Sequence, residues 1–321
     1  MSWETARPHS TGLRAHATGP PADGGGRLRF QKGRTGPLRD AMHRHHRERH
    51  HREQDNAQEL LLTLGRLVDQ ALENISRQRA RAELGLALQR HMLPPELPDF
   101  PGLRIEARYA PSQDGLAVGG DFYDAFTMRD GVAGIAIGDV QGHGVEAAAF
   151  MGEARASLRA LASVTVDPGE VLACANDLLI SLGGDLFTTC CLVSVVPESG
   201  ELAVARAGHV PIVWGTDDGD SGVSLDAGGV PLGILHGQRY PVTRRRLGRP
   251  GYLVLLTDGV VEGPSFPIDE GLAAVSELVG AADGADPGEL AARVIEVADL
   301  TGHDDDAAVL VVRYDGAPGR P

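Results

Sequence analysis

Residues 119–144 read GGDFYDAFTMRDGVAGIAIGDVQGHG, with Asp121 and Asp139 on either side of the apolar run Val132 to Ile137. That run is rich in β-branched residues and lies between Asp130-Gly131 and Gly138-Asp139, which predicts a buried strand between two turns. Asp139 then stands at the end of the strand. Gln141 to Gly144 is too glycine-rich for strand, and Val145 to Leu161 has helix-forming composition with Val145, Ala148, Ala149, Gly152 and Ala156 on one side. The order is strand, carboxylate, glycine turn, helix. A carboxylate beside a turn where backbone approaches closely suits a hard divalent cation such as Mg²⁺ or Mn²⁺, although a single aspartate here also serves simply to cap the turn.

Charge narrows the function classes. Residues 1–55 carry a net +5 and residues 56–321 a net −19, within a total of −14. So acidic a body argues against nucleic-acid binding, which needs clustered basic charge, and supplies the oxygen donors of a metal site. The amino-terminal residues lack the apolar core of a signal peptide, and no stretch approaches ~18 uninterrupted apolar residues, so a cytoplasmic protein without a transmembrane segment is expected. Cys174, Cys190 and Cys191 have no zinc spacing, and the adjacent pair reads as small apolar strand residues. Lys32 is the only lysine. With no Walker A motif and no strand lysine, P-loop and protein-kinase chemistry are excluded.

Residues 1–55 are rich in Gly, Pro, Arg and His with little apolar periodicity and read as a disordered basic tail, as do residues 315–321 at the other end. The histidines at 43, 45, 46, 50 and 51 could engage a transition metal, an anionic lipid surface or RNA, but the interleaved arginines favour a solvated tail. From Asp55, whose spacing to Gln58 resembles a capping box, a helical pattern runs to Leu93 and stops at Pro94-Pro95. Leu61, Leu64, Val68, Ala71 and Ile75 alternate at three and four residues, about two heptads of coiled-coil seam. A homodimer through residues 56–93 is the expectation, with folding back onto the same chain as the alternative. Such a helix could carry an upstream signal into the domain that begins at residue 94.

Leu103 to Tyr109 alternates as a half-exposed strand, Thr188 to Val196 and Glu201 to Ala207 form a hairpin, and Tyr252 to Thr257 and Ala307 to Val312 read as fully buried strands. Asp167-Pro168-Gly169-Glu170 and Asp286-Pro287-Gly288-Glu289 each combine an Asp cap, a Pro at the first helical position and a Glu that would complete a capping box. Hairpins exclude a purely parallel sheet. A predominantly antiparallel sheet system covered by helices is the expected fold class, α+β.

The carboxylate logic recurs. Tyr252 to Gly259 (YLVLLTDG) is an apolar strand ending on Asp258, and Asp304, Asp305 and Asp306 immediately precede the buried strand at Ala307. Adjacent carboxylates at the edge of a core raise one another's pKa unless a cation neutralises them. Asp121, Asp139, Asp258 and Asp305 or Asp306 therefore make a plausible oxygen-rich site for two metals about 3.5–4 Å apart, and phosphate ester hydrolysis is the natural reaction class.

The blocks GGDFYD, GDVQGHG, AGHVP, GGVPLGI, LLTDGVVE and DDDAAVLVVR stand in the order typical of SpoIIE-type bacterial phosphatases, a branch of the PPM (type 2C-like) serine/threonine phosphatases, and LQRHMLPPELP resembles the family's entry into that domain. The resemblance spans residues 85–313. It implies a four-layer αββα sandwich over residues 94–314, two Mn²⁺ or Mg²⁺ ions, and dephosphorylation of phosphoserine or phosphothreonine on a partner protein. In the bacterial branch that partner is commonly a small anti-anti-sigma factor, whose dephosphorylation frees a sigma factor from its inhibitor. By motif, Asp121, Asp139, Asp258 and Asp305 would be metal ligands, Asp139 bridging, with the Val140 carbonyl beside it and Asp306 as a further candidate. Ala308 stands where the family often has Thr. His143 is a candidate general acid, or else orients the turn or caps the helix. His209 and Gly229 to Gly233 are motif positions with structural readings only. Two other classes compete: GGDFYD resembles the GGDEF signature of diguanylate cyclases, but Phe122 replaces the needed Glu, and a catalytically silent scaffold would signal through residues 56–93 while keeping the fold.

Overall fold

The structure, a computed structural model, describes residues 36–111, 119–264, 266–302 and 305–316. Residues 1–35 and 317–321 of the tails expected over 1–55 and 315–321, and Asp304, lie outside the described residues. The chain divides into two compact units, one ending at Val68 and one beginning at Asp69.

The first helix, α1 (Gly36–Met92), starts nineteen residues before Asp55, so the His/Arg-rich stretch from 36 to 55 is helical where the sequence reading expects disorder. Asp55 lies inside the helix and caps nothing. The physical reason is local: between Leu38 and Gln54 there is no Gly or Pro, and Arg, Glu, Gln and Met are good helix formers even where no apolar face exists. His50 adds a contact to Glu53 at 3.7 Å, one turn on. Residues 41–80 are exposed, and the expected seam is an open apolar stripe, with Leu61, Leu64, Val68 and Ile75 between 45% and 69% exposed. Among the described residues no helix is long and apolar enough to cross a membrane.

In the second unit the elements follow as β1 (Leu103–Ala110), β2 (Asp121–Thr127), β3 (Ala133–Val140), α2 (Val145–Ala162), α3 (Pro168–Leu182), β4 (Thr188–Val196), β5 (Glu201–Ala207), β6 (Val213–Thr216), β7 (Ser221–Val223), β8 (Gly228–Gly229), β9 (Thr243–Arg246), β10 (Gly251–Leu256), α4 (Asp258–Val261), α5 (Ile268–Gly280), α6 (Pro287–Ile295), α7 (Val297–Thr301) and β11 (Ala307–Tyr314). One sheet has the order β1-β11-β10-β6-β7 and the other β2-β3-β4-β5-β8, with β9 also on β5. Pairing is antiparallel except for the two-residue β5–β8 ladder.

Alternation along the strands separates three cores. In β3, Ala133, Ile135 and Ile137 face the other sheet while Ala136 and Val140 face α2 and α3. In β11, Ala308, Leu310 and Val312 face inward between the sheets and Ala307, Val309 and Val311 face α5 and α6. Both faces of each strand are covered, which is why these segments read as continuous apolar runs rather than alternating ones. The result is the expected αββα sandwich. Cys190 and Cys191 follow the same rule, one on the helix side and one between the sheets, so their adjacency is not a pair.

Two details refine the sequence reading. Asp167 and Asp286 cap α3 and α6 by accepting from Gly169 and Gly288 amides at 2.9 Å, but Glu170 does not close a capping box: it accepts from the Thr165 hydroxyl instead. The strand expected over 132–137 extends through Asp139 and Val140, because both residues still pair with β4. Gly142 and Gly144 then turn the chain into α2 with φ of 83° and 103°, a region closed to most side chains.

The helix α2 is held to β2 by a charge cluster absent from the sequence reading. Asp124, fully buried, accepts from Arg159 through both oxygens (2.6 and 2.7 Å) and from Arg155 at 2.9 Å. A buried carboxylate requires such partners, and here they clamp the strand that begins at Asp121 to the helix that follows the Gly142–Gly144 turn.

Candidate functional site

Four elements deliver carboxylates to one end of the sandwich. Asp121 is the first residue of β2 and sits directly opposite Asp139 in the β2–β3 ladder. Asp258 opens α4 just after β10, and Asp305 and Asp306 immediately precede β11. Asp121 and Asp306 are each only 3% exposed, Asp139 and Asp258 are half-buried, and Asp305 is exposed. The glycines beside them are there for close approach. A Cβ on Gly119 would overlap the Asp306 carboxylate, and one on Gly120 would lie 2.2 Å from the Val140 carbonyl oxygen. The Val140 carbonyl thus comes to the same corner as the Asp139 side chain.

The electrostatics of this corner are in conflict. Burial, then Asp139, holds the Asp121 carboxyl well above the usual carboxylate range, with Asp306 and Asp258 adding to it. Asp139 is pushed up to about 8, chiefly by burial and then by Asp258 and Asp305. Asp258 is raised by burial and by Asp305. These groups cannot all ionise together in the bare protein. Divalent cations reverse that logic, because their charge favours the ionised form of every carboxylate around them.

The donor set is hard oxygen only, which fits Mg²⁺ or Mn²⁺. Among the described residues no three His, Cys, Asp or Glu side chains converge on a single point.

A hydroxyl relay fixes Asp121. The Ala308 amide donates to Thr257 Oγ1 at 2.9 Å, which leaves the Thr257 hydroxyl hydrogen to go to Asp121 Oδ2 at 2.7 Å. Thr257 is fully buried, at the end of β10 on one sheet, while Asp121 belongs to the other. The relay takes only the backbone of residue 308, so an alanine there removes nothing from it. Thr257 lies inside the TDG block yet the sequence reading passes over it, because a threonine ending an apolar run reads as a strand residue.

His143 is exposed in the turn before α2. The residue at the helix N-cap is Gly144, with no side-chain cap bond, so the capping alternative for His143 has no support. His209 is buried, and its Nδ1 is 2.8 Å from the Thr189 hydroxyl, whose residue pairs with Asp139 across the β3–β4 ladder. Burial, with help from Arg206, lowers its pKa to about 3, so it is a neutral structural group at physiological pH.

The sign of the pH effect follows from Asp139. Folded, it keeps its proton up to about pH 8; unfolded, it releases it near pH ~4. The folded state binds more protons across that window, so metal-free stability falls as pH rises through it. Thermal melts in chelator are expected to drop between about pH 4 and 8, and Asp139→Asn to flatten the slope and raise the melting temperature at pH 8 by roughly 5 °C, the effect of about 2 kcal/mol in a domain of this size. A Thr257→Val variant, which keeps shape and loses the hydroxyl, is expected to cost roughly 1–3 kcal/mol and to weaken Mn²⁺ binding about 10–100-fold by titration calorimetry, with Thr257→Ser close to wild type. Unchanged Mn²⁺ affinity in Thr257→Val would show that the relay does not position Asp121.

The family model "Stage II sporulation protein E (SpoIIE)" matches residues 129–315, which include every candidate site residue named above except Asp121. Among curated proteins, Protein IcfG of Synechocystis sp. is 28% identical over 216 residues, 58% of this chain and 33% of its own length. Phosphoserine phosphatase RsbU of Bacillus subtilis is 26% identical over 195 residues, 60% of this chain and 57% of its own. The chain thus spans a third to rather more than half of the curated relatives it matches. The solved RsbU and RsbW domains of Rv1364c from Mycobacterium tuberculosis are 31% identical, with a TM-score of 0.64 over 71% of this chain and 64% of that one. The SiaA-PP2C domain of Pseudomonas aeruginosa, at 22% identity, shares the fold with a TM-score of 0.60 over 76% of this chain and 99% of its own. With the family model matching more than half of its length, the chain belongs to the SpoIIE family.

Proposed function

We propose that this protein is a metal-dependent phosphoprotein phosphatase that hydrolyses phosphoserine or phosphothreonine on a partner protein. The observation that carries the reading is the corner where burial and neighbouring carboxylates from both sheets raise the proton affinity of Asp121, Asp139 and Asp258, a charge conflict that divalent cations relieve. Family membership and a phosphoserine phosphatase among the relatives point the same way. Two Mn²⁺ or Mg²⁺ ions, when bound, would supply charge for the phosphoryl oxygens and lower the pKa of water at the site.

The chain's own residues then have distinct tasks. Asp121, Asp139, Asp258 and Asp305, with the Val140 carbonyl, would hold the ions; Asp139, on which Asp121, Asp258, Asp305 and Asp306 all act, is the proposed shared ligand. Thr257 orients Asp121. Asp306, against Gly119, closes the back of the site. His143, exposed in the turn before α2, is the proposed general acid that would give a proton to the departing serine or threonine oxygen. The proposed substrate is a small anti-anti-sigma factor in a cytoplasmic sigma-factor pathway, on the strength of the family's bacterial branch.

The exposed stripe of Leu61, Leu64, Val68 and Ile75 favours a second copy of the same helix as its partner, since each such side chain gains about 1.5–3 kcal/mol on full burial.

Purified protein is expected to hydrolyse a phosphoserine peptide with Mn²⁺, to stop in chelator, and to lose roughly 100-fold or more in Asp139→Asn. Metal binding without hydrolysis in the wild type would instead support the silent scaffold. Replacing Leu61, Leu64 and Val68 together by Gln is expected to convert a dimer to a monomer in sedimentation and to change the hydrolysis rate with it; an unaltered oligomeric state would remove the helix as the dimer contact.

A further inference from the structure

The two sheets do not close at the end of the sandwich away from the carboxylates. A cavity of about 670 Å³ opens there between β5 and β9 of one sheet and β6, β7 and β10 of the other. Its inner wall is the core itself: Leu202, Val204, Ile212 and Leu253 belong to the apolar layer between the sheets. The cavity size lies within the usual range for small-molecule sites.

Strand register tells which side chains enter it. Residues paired across a ladder share a face. Trp214 pairs with Leu253, and Arg245 pairs with Leu202. Trp214 and Arg245 therefore face the gap from opposite sheets, beside the apolar Leu202, Val204 and Leu253 of that layer. Trp214 is 37% exposed and Leu225, at the rim, is 97% exposed, an uncovered apolar surface on the mouth of an apolar cavity.

The charges at the mouth are unequal. Arg249 is taken by Asp218 at 2.5 Å, and Arg246 donates to the Ser199 carbonyl. Of the two bordering carboxylates, Asp226 is bonded by the Ser224 hydroxyl, and Asp220 sits at the β6–β7 turn. Among the described residues the Arg245 side chain has neither an ion-pair nor a hydrogen-bond partner. It stands exposed on an edge strand with its base against the apolar gap.

We infer that this cavity binds an amphipathic monoanion, a fatty carboxylate whose tail lies between the sheets beside Trp214 and whose head pairs with Arg245. The inference is independent of the phosphatase reading, because neither its residues nor its readout involve hydrolysis. Trp214 and Trp3 are the two tryptophans of the chain, so a full-length Trp3→Phe protein reports on Trp214 alone. Dodecanoate, titrated below its critical micelle concentration, is expected to shift Trp214 emission saturably. Arg245→Gln in that background, with melting unchanged, is expected to weaken binding at least tenfold, Arg245→Lys to retain it within a few-fold, and dodecylamine not to compete. Absence of a saturable shift, equal affinity in Arg245→Gln, or equal binding of the amine would overturn the proposal and leave Arg245 as an inward charge that guards an edge strand against pairing.

Discussion

Asp121 is a buried carboxylate on one sheet that is held by a hydroxyl from the other. That hydrogen bond, from Thr257, depends on the Ala308 amide for its direction, and so on the β10–β11 ladder being in register. The fold around it can be understood as the support such a contact needs. Two sheets must meet at one corner with their strand ends level, and each must be stiffened from outside. The helices α2 and α3 do this for one sheet, and α5 and α6 for the other. The Asp124 clamp adds a second anchor to β2, three residues beyond Asp121, so the strand can neither slide nor tilt without separating buried charges.

The same corner is an electrostatic liability. Bringing Asp121, Asp139 and Asp258 together out of water costs free energy that the rest of the domain must supply, and among the described residues the neighbouring arginines, Arg155 and Arg159, are committed to Asp124 instead. A purely structural role would be better served by amides or by apolar residues. Retaining several acids at the end of a rigid sandwich makes physical sense when a cation is the missing partner, because only then do burial and charge act in the same direction.

The parts of this arrangement that sequence exposes are those in which a local pattern reports a global environment. Runs such as YLVLLT and AAVLVV are apolar on both faces because each strand is covered twice, and the aspartate that ends a run marks where the cover stops. The four carboxylates were legible for that reason. Thr257 and Asp124 were not, because their meaning lies in partners 136 and 31 to 35 residues away, and no local pattern distinguishes a hydroxyl that bridges two sheets from one that simply ends a strand. The opposite error arises in α1. There, judging order by apolar content missed a helix whose backbone propensity is sufficient from Gly36 onward. Arg245 is intermediate: TRRR in an acidic chain is conspicuous, but which of the three arginines faces inward depends on a register with β5 that only the structure supplies.

The sandwich is thus closed at one end and open at the other, and β10 joins the two. Sheets that twist cannot stay in contact along all four corners, so side chains of unequal size must fill the places where they splay. At the carboxylate end the separation is small enough for a threonine hydroxyl to cross it. At the far end Trp214 and Arg245 face each other across a gap that they do not fill. Between Gly251, at the cavity, and Thr257, at Asp121, lie roughly 20 Å of strand. Every residue of that strand is buried, with packed cores on both faces. A segment packed that densely carries a displacement along its length more readily than it absorbs one.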